Sequence, residues 1–207
     1  MANLYSCEIT YEGIYQYDGK SSTITDSFTS AGINPSGVVI IDNNVVSCSS
    51  FTNLIYKYEG FSSVVLDSFA APDNALEGLA YDGANLLSIG NALNKIYIHS
   101  GVTATISNSF ASPSTTPKDL TYDGSNIISV DSPSGGDTIS VHSGKTSTVT
   151  STFSAPDATT TGLGYDGSNL ISTGSTDKFF IHSGVSVTIS DSFSSTILNP
   201  QAVTYGS

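Results

Sequence analysis

The chain has 207 residues, 18 of them acidic and six basic, which gives a formal net charge of −12 at pH 7. All the basic residues are lysines. Nucleic acids and anionic membranes are recognised through clusters of positive side chains, so this composition argues against both. No apolar run approaches the roughly 18 residues needed to span a bilayer. We therefore expect no nucleic-acid partner and no membrane insertion.

The start of the chain carries no basic segment followed by an apolar one, so no secretory signal peptide is predicted. The composition is rich in serine, threonine, glycine and asparagine and poor in lysine and glutamate, which is typical of proteins that work outside cells. Together these features favour a component that is assembled inside a cell and then exposed, on a virion or another exterior surface.

One motif recurs five times along the chain. It reads Gly-Leu-x-Tyr-Asp-Gly-x-Asn-Leu-x-Ser at 78–88, and continues with Ile-Tyr-x-His-Ser-Gly at 96–101 and Ser-Phe at 109–110. The closing phenylalanine recurs at spacings of 41, 41, 43 and 40 residues, at Phe28, Phe69, Phe110, Phe153 and Phe193. A fixed period of this length indicates a repeat architecture.

Each repeat predicts four short strands. The first, as at 78–81, is a mostly apolar run that ends at Asp-Gly, which predicts a two-residue hairpin turn. The second is the Asn-Leu-x-Ser run, the third alternates apolar and polar residues as at 96–99, and the fourth is rich in β-branched residues as at 102–110. No segment keeps an apolar period of 3.6 residues, so the chain is predicted to be all-β.

The two ends of the chain together supply one repeat. Residues 3–6 match 85–88, and residues 202–206 match 78–82. A split repeat closes a ring, so we predict a five-bladed β-propeller with four antiparallel strands per blade and a 3+1 closure. The expected single domain is 1–207, with one blade formed by 1–28 plus 198–207 and the others at about 29–69, 70–110, 111–153 and 154–197.

The near-identical blades resemble those of tachylectin-type lectins, and the Gly-Leu-x-Tyr-Asp-Gly-x-Asn-Leu run is similar to the inner strands of NHL and SMP-30-like propellers. The resemblance covers the whole chain and implies the architecture alone. The aromatic residue that often follows Asn-Leu in those groups is replaced by Leu87, Ile128 and Ile171. No functional motif of those families transfers to this chain residue by residue.

The residues that could bind a metal have structural interpretations. Three histidines share one repeat position, where two blades have tyrosine (His99, His142, His182, Tyr17 and Tyr58). Equivalent positions of neighbouring blades lie roughly 10 Å apart, so the histidines cannot converge on one ion. We expect their polar edges to meet backbone, and for the same reason we expect Cys7 and Cys48 to remain unbridged thiols. No metal and no cofactor is predicted.

Two sets of polar residues are expected to shape turns. Aspartates before glycine should hydrogen-bond nearby backbone N–H groups (Asp82, Asp123 and Asp166), with Asp42 displaced by one position before Asn43-Asn44. The asparagine that recurs in every repeat is also interpreted as a turn residue, although five copies could instead form a ring of polar contacts (Asn3, Asn44, Asn85, Asn126 and Asn169).

Catalysis has little support in the sequence. Enzymes with paired carboxylates need an acid and a base in different environments. The inner strands of the repeats are nearly interchangeable, and only Glu77 and Asp119 offer such a pair. The sequence therefore favours a protein that is not an enzyme, with a glycosidase-type activity as the less favoured alternative.

Recognition is expected on one face of the ring. The loops between blades and those joining second and third strands vary in sequence, and variable loops on a rigid scaffold commonly carry binding sites. The sequence predicts a structural, decoration or adhesion module that binds a protein partner in a larger assembly. The alternative is a multivalent glycan-binding propeller with tyrosine and phenylalanine stacking on sugars. The candidate binding residues are Asn53, Asn91, Asn94, Asp131, Ser134, Asp137, Thr176 and Asp177.

Overall fold

The structure is a computed structural model that describes residues 2–133 and 136–206. Within these ranges the chain forms twenty β-strands and no helix, and therefore no helix that could cross a bilayer. The strands make five sheets of four antiparallel strands each. The predicted all-β fold is confirmed.

The strands fall into five blades in chain order. The first blade contains β1 (Asn3–Cys7), β2 (Gly13–Tyr17), β3 (Ile24–Thr29) and the last strand of the chain, β20 (Ala202–Gly206). The second contains β4 (Pro35–Ile41), β5 (Asn44–Ser49), β6 (Leu54–Tyr58) and β7 (Val65–Ala70). The third contains β8 (Leu76–Tyr81), β9 (Leu86–Gly90), β10 (Lys95–His99) and β11 (Ile106–Ala111). The fourth contains β12 (Pro117–Tyr122), β13 (Ile127–Asp131), β14 (Thr138–His142) and β15 (Val149–Ser154). The fifth contains β16 (Thr160–Tyr165), β17 (Leu170–Gly174), β18 (Lys178–His182) and β19 (Ile189–Ser194).

The blades are arranged in a closed ring. Their inner strands β4, β8, β12, β16 and β20 pack one against the next, and β20 packs against β4. In the first blade β20 pairs antiparallel with β1, from Asn3 opposite Gly206 to Cys7 opposite Ala202. The predicted five-bladed propeller and its 3+1 closure are both confirmed.

The hydrophobic core lies between adjacent blades. Between the second and third blades, for example, Val46 and Ile55 pack with Leu76, Leu79 and Leu86. Four similar clusters fill the other junctions. Each sheet therefore buries its two apolar faces against its neighbours, which is the main source of stability for such an arrangement.

The Asp-Gly turns differ from the predicted two-residue hairpin. Four residues separate Tyr81 from Leu86, and the carboxylate of Asp82 accepts hydrogen bonds from the N–H groups of Ala84 at 2.9 Å and Asn85 at 2.6 Å. The carboxylate needs this longer loop in order to reach both amides. The two-residue turn of the molecule is Asp42-Asn43, where φ is 51° and 63° and the geometry matches a type I′ hairpin.

The repeated asparagine joins two turns within each blade and does not form a ring. The Oδ1 atom of Asn85 accepts a hydrogen bond from the N–H of Gly101 at 3.0 Å, which ties the first turn of the blade to the turn before its outer strand. The same bond recurs at Asn3, Asn44, Asn126 and Asn169. The recurrence of the asparagine in every repeat thus has a structural cause.

Candidate binding face

One end of the ring is formed by two sets of loops. Because neighbouring strands are antiparallel, the loops joining second to third strands and the loops joining blades lie at the same end. We call this end the loop face, and the end with the Asp-Gly turns the turn face. The loop face comprises 8–12, 50–53, 91–94, 132–133, 136–137 and 175–177, together with 30–34, 71–75, 112–116, 155–159 and 195–201.

Exposed apolar side chains are concentrated on part of the loop face. Ten large hydrophobic side chains are exposed among the described residues, and six of them lie on this face. Four of them lie in the second-to-third-strand loops of the first three blades, and two lie in the inter-blade loops that precede the first and second blades. Their exposed fractions range from 38% to 74%. They are Ile9, Tyr11, Ile33, Phe51, Leu93 and Leu198. We call them the apolar arc.

The loop that carries Ile9 and Tyr11 is held by a buried carboxylate. Glu8 is 1% exposed, and its two oxygens accept hydrogen bonds from the N–H of Thr10 at 2.6 Å and of Tyr11 at 2.9 Å. The hydroxyl of Tyr15 also donates to Glu8, at 3.3 Å. Burial first, and then the charge of Glu8, raise the pKa of Tyr15 to about 12. The loop is thus anchored beneath its exposed side chains.

The loop that carries Leu93 is held in the same way from a different position in the chain. Asp73, in the preceding inter-blade loop, is 2% exposed. It accepts hydrogen bonds from the N–H groups of Ala92 at 3.2 Å and Leu93 at 3.0 Å, and from the hydroxyl of Tyr97 at 3.2 Å. Burial, followed by the charge of Asp73, raises the pKa of Tyr97 above its usual range.

The loops that carry Phe51 and Ile33 are joined through one hydroxyl group. The buried Ser49 accepts a hydrogen bond from the N–H of Thr52 at 3.0 Å and donates one to the carbonyl of Ile33. The two exposed side chains therefore stand on loops that are fixed relative to one another. A rigid loop presents its side chains to a partner without a further entropic cost.

The loop face of the fourth and fifth blades is polar. Asp157 accepts hydrogen bonds from the N–H and hydroxyl groups of Thr176 at 2.9 Å and 2.6 Å. Burial acts to raise the pKa of Asp157, but the hydrogen bonds with Thr176, Thr159 and Ser175 outweigh it and keep the pKa below its usual range. Burial raises the pKa of Asp131 to about 6, against a smaller effect of its bond with Ser112.

The described candidate residues chosen from the sequence lie on this face or, for Asp131, at the end of the strand that leads into it, but several have roles inside the fold. Asp131 and Asp137 are buried, and Asp137 accepts the N–H of Thr160. Three others adopt positive φ angles of 53° to 56° before a third strand (Asn53, Asn94 and Asp177). Asn91 is half-buried and Thr176 is exposed. Ser134 lies outside the described residues.

Sequence reasoning selected the polar residues of the face and missed the apolar arc. The available signal was an apolar residue between polar turn residues, as in Ser50-Phe51-Thr52 and Ala92-Leu93-Asn94. Apolar residues in loops are ambiguous in a sequence, because they can either fold back onto the core, as Ala71 does, or be exposed, as Phe51 is. The exposure of Phe51 and Leu93 depends on anchors that are distant along the chain or buried beneath them.

The histidines are buried structural residues. Each ring lies between a serine hydroxyl of the second strand and a carbonyl of the following turn, as His99 does between Ser88 and Thr103. Burial lowers the pKa of all three rings, despite the opposing hydrogen bond to the carbonyl. Among the described residues no group of three or more histidine, cysteine, aspartate or glutamate side chains could hold a metal ion.

The two cysteines are separate buried thiols, as expected. The Sγ atom of Cys7 lies 3.4 Å from the carbonyl oxygen of Pro35, and the Sγ atom of Cys48 lies 3.4 Å from the hydroxyl of Ser36. Burial raises the pKa of Cys48 to about 12 and that of Cys7 well above its usual range. Both groups therefore stay protonated at neutral pH.

Asp119 ties two inner strands together. It replaces the glycine found there in three blades, and its carboxylate accepts the N–H groups of Leu120 at 2.8 Å and Leu163 at 2.7 Å. Burial raises its pKa well above the usual range, and these two hydrogen bonds oppose the shift. Burial also raises the pKa of the half-buried Glu77, with Lys118 acting against it.

The chain matches no protein-family model and no curated protein sequence. Its fold is similar to that of Myxococcus xanthus glutaminyl cyclase, with a TM-score of 0.69, 12% identity, and coverage of 93% of this chain and 75% of that one. It is also similar to a chain in the crystal structure of the nidogen/laminin complex, with a TM-score of 0.68, 12% identity, and coverage of 100% and 99%. At this identity the likeness shows the fold alone.

Proposed function

We propose that the protein is a non-catalytic adhesion or assembly module that binds a partner protein through its loop face. The observation that carries this proposal is the apolar arc. Exposed apolar side chains that are concentrated on one part of a surface commonly mark a protein interface. The nidogen/laminin structure is a precedent for this fold within a protein–protein complex.

The construction of the arc supports a preformed interface. Tyr11 and Leu93 each donate their own N–H to a buried carboxylate, from Glu8 and Asp73 respectively. Large aromatic and aliphatic side chains on a fixed backbone are the groups that most often dominate interface energetics. A partner with a complementary apolar surface would bury Tyr11, Phe51 and Leu93 without reordering the loops.

The asymmetry of the face favours a protein over a multivalent glycan. Five equivalent sugar sites would require equivalent loops in all blades. The exposed apolar side chains of the loop face belong to the loops of the first three blades or lead into the first two, whereas the described second-to-third-strand loops of the fourth and fifth blades are polar. One large and irregular surface suits a single protein partner.

The surroundings of the two carboxylates on the inner strands, Glu77 and Asp119, support a non-catalytic role. Both oxygens of Asp119 already accept backbone N–H groups, and the residue is 1% exposed. A carboxylate in this position stabilises the ring and offers no free oxygen to a substrate. Glu77 is then left without a partner carboxylate for acid–base catalysis.

Site-specific photocrosslinking in the native source tests the proposal. A photoreactive phenylalanine analogue is placed at Phe51 or Leu93, with Val187 on the turn face as the matched exposed control. We expect positions 51 and 93 to crosslink to the same protein and position 187 to give no such product. Crosslinking from 187 alone, or from none of the three, would contradict the proposal.

A binding measurement with the purified partner follows. The double variant Phe51→Ser/Leu93→Ser should weaken binding by at least about tenfold, since exposed interface anchors typically contribute 1 kcal/mol or more each. Its free energy of unfolding should change little, because both side chains are exposed in the free protein. A glycan array provides the competing outcome, since several equivalent glycan sites would establish the lectin alternative.

A further inference from the structure

Each blade presents its fourth strand as an open edge on the outside of the ring. These strands are β3, β7, β11, β15 and β19, and each pairs on one side only. Ala155, which directly follows β15, donates its N–H to the carbonyl of Asp137, which directly precedes β14. Because main-chain groups alternate in direction along a strand, the N–H groups of Phe153 and Ser151 also point towards β14. The N–H groups of Thr152 and Ser154 therefore point outward. The same relation holds at the other four edges.

Four of the five edges are blocked by a side chain. At the residue equivalent to Thr152, the outward N–H donates to Oδ1 of the preceding aspartate or asparagine, at 2.8 Å in every case. The pairs are Ser27 with Asp26, Ser68 with Asp67, Ser109 with Asn108, and Ser192 with Asp191. An N–H satisfied in this way, often beside a charge, is a poor template for another strand.

The fourth blade lacks this device. Serine occupies position 151, where the other edges have aspartate or asparagine, and no described side chain accepts the N–H of Thr152. The strand Val149–Ser154 is uncharged and rich in β-branched residues. It is the edge best suited to pair with a further strand.

A cavity lies beside the same strand. It has a volume of about 520 Å³ and is lined by Thr152 and its cross-strand neighbours Thr138 and Ser140, with Pro113 and Pro133 at its sides. The outer strands of the other blades line none of the cavities described. An open edge and a side-chain pocket are thus found together in one blade.

We propose that β15 is a strand-addition site for an extended segment of a partner protein. The segment is uncharged along its pairing residues and carries one large apolar side chain that enters the cavity beside Thr152. In this mode of recognition main-chain hydrogen bonds supply affinity and a side-chain pocket supplies specificity. The site lies on the rim of the ring, where its cavity borders the loop face at Pro113 and Pro133 of the fourth-blade loops, and it includes no residue of the apolar arc.

A partner segment fits the site better than a second copy of the chain. Two copies each carry a net charge of −12 and repel one another. A pair of six-residue strands alone also falls short of the roughly 1,200 Å² of a stable dimer. Phe153 of a second copy packs against that copy's own core, so its β15 would present small hydroxyl side chains that leave the cavity unfilled, whereas a phenylalanine or leucine side chain of a partner would occupy it.

A synthetic peptide tests the site. The probe is acetylated and amidated Lys-Thr-Val-Phe-Val-Thr-Lys, and its binding is followed through the backbone amide resonances of the full-length ¹⁵N-labelled protein. We expect saturable shifts and slower hydrogen exchange at Thr152 and Ser154. The same peptide N-methylated at alternate residues cannot pair and should not bind.

Variants at position 151 show whether peptide binding depends on the free N–H of the edge or on the charge of the side chain at this position. Ser151→Asp and Ser151→Asn each restore a blocking side chain found at other edges, and both should weaken binding about tenfold or more through loss of a main-chain hydrogen bond. Ser151→Thr leaves the edge open and should bind like the unaltered chain. The loop-face variant Phe51→Ser/Leu93→Ser should also bind the peptide unchanged, which separates this inference from the proposed function.

Three results would overturn the proposal. The first is the absence of shifts at Thr152 and Ser154. The second is equal binding by Ser151→Asn and Ser151→Thr. The third is concentration-dependent protection of Thr152 without peptide that Ser151→Asp removes, because this would assign the edge to a second copy of the chain.

Discussion

Ser88 donates a buried hydrogen bond to His99, with 2.9 Å between the hydroxyl Oγ and the imidazole Nε2. The other ring nitrogen, Nδ1, lies 2.7 Å from the carbonyl oxygen of Thr103. A carbonyl only accepts, so Nδ1 carries the proton, and burial, which lowers the pKa of the ring, leaves Nε2 unprotonated at neutral pH to accept from the serine. The ring is therefore a neutral imidazole in a defined tautomer. The arrangement recurs at His142 and His182, and in the first two blades a tyrosine hydroxyl lies 3.3 Å from the equivalent serine.

Removing one of these serines should measurably destabilise the folded propeller. In Ser88→Ala the buried Nε2 of His99 loses its donor, and an unsatisfied buried acceptor costs about 1–3 kcal/mol. We expect the free energy of unfolding, measured by urea titration, to fall by that amount. Ser125→Ala is the control, because Ser125 is exposed and its hydroxyl makes no described hydrogen bond. Equal stabilities of the two variants would show that the pair contributes nothing.

The histidines should make the protein less stable in mild acid. Burial lowers the pKa of all three rings in the folded state. The unfolded chain, with a pKa of about 6.5 for histidine, therefore binds protons that the folded chain does not as the pH falls below that value. The stability that the histidines contribute should be fully present well above pH 6.5 and should be lost as the pH falls through and below that value.

Asp131 acts in the opposite direction, as do Asp119 and Glu77, and the variant Asp131→Asn removes one of these three contributions. The pKa of Asp131 is raised to about 6, so its folded form retains a proton that the unfolded form loses near pH 3.9. We expect Asp131→Asn to show a steeper loss of urea stability between pH 7 and 5 than the unaltered chain. Direct NMR titration of the three imidazoles should give pKa values below 6.5. A value above 6.5 for any of them would contradict the assignment.

The sequence was sufficient for the architecture because the repeats place every landmark at a fixed period. The split repeat at the two ends predicted the pairing of β1 with β20, and the shared position of His99 and Tyr58 predicted buried structural rings. The apolar arc could not be predicted in this way. Asp73 holds the loop of Leu93 from 20 residues away, and Asp157 holds the equivalent loop at Thr176, but the repeat does not show which of these loops exposes a large apolar side chain.

A third charge pair between blades can be added by design. Lys145 reaches Asp82 of the preceding blade at 2.5 Å, and Lys20 pairs in the same way with Asp166. Burial acts to raise the pKa of Asp82 and Asp166, but the bonds with lysine and backbone outweigh it and lower both. By the repeat, the equivalent of Lys145 in the fifth blade is Val185, which packs at the edge of the core, and the equivalent of Asp82 in the fourth blade is Asp123.

We expect Val185→Lys to stabilise the protein by about 0.2–1 kcal/mol, the usual range for a partly exposed ion pair. Thermal unfolding at low salt measures the gain, which should disappear near 1 M NaCl because exposed pairs are screened. Val185→Met adds a long side chain without charge and serves as the control. A gain that is equal for lysine and methionine would indicate packing and contradict the charge pair.

Closure of the ring by β20 should be essential for cooperative folding. Five residue pairs join β20 to β1, from Asn3–Gly206 to Cys7–Ala202. Loss of these hydrogen bonds costs on the order of 5 kcal/mol, comparable to the whole stability of a typical domain. A chain truncated after residue 201 should therefore show no cooperative urea transition. A transition near that of the full chain would mean that the ring does not need its closing strand.

A circular permutant distinguishes the closure from the mere presence of the strand. Joining Tyr205 to Asn3 through Asp-Gly-Ser reproduces the natural connection between Tyr165 and Asn169. New ends between 113 and 114 lie in the loop that joins the third and fourth blades. Every sheet is then formed by four strands that are consecutive in the chain. The ring is closed by side-chain packing between these two blades, as of β8 against β12, without a shared sheet. We expect this permutant to fold, with near-UV circular dichroism like that of the natural chain. Its urea midpoint should be lower, because no sheet then spans the junction, and an unchanged midpoint would show that side-chain packing between blades is sufficient.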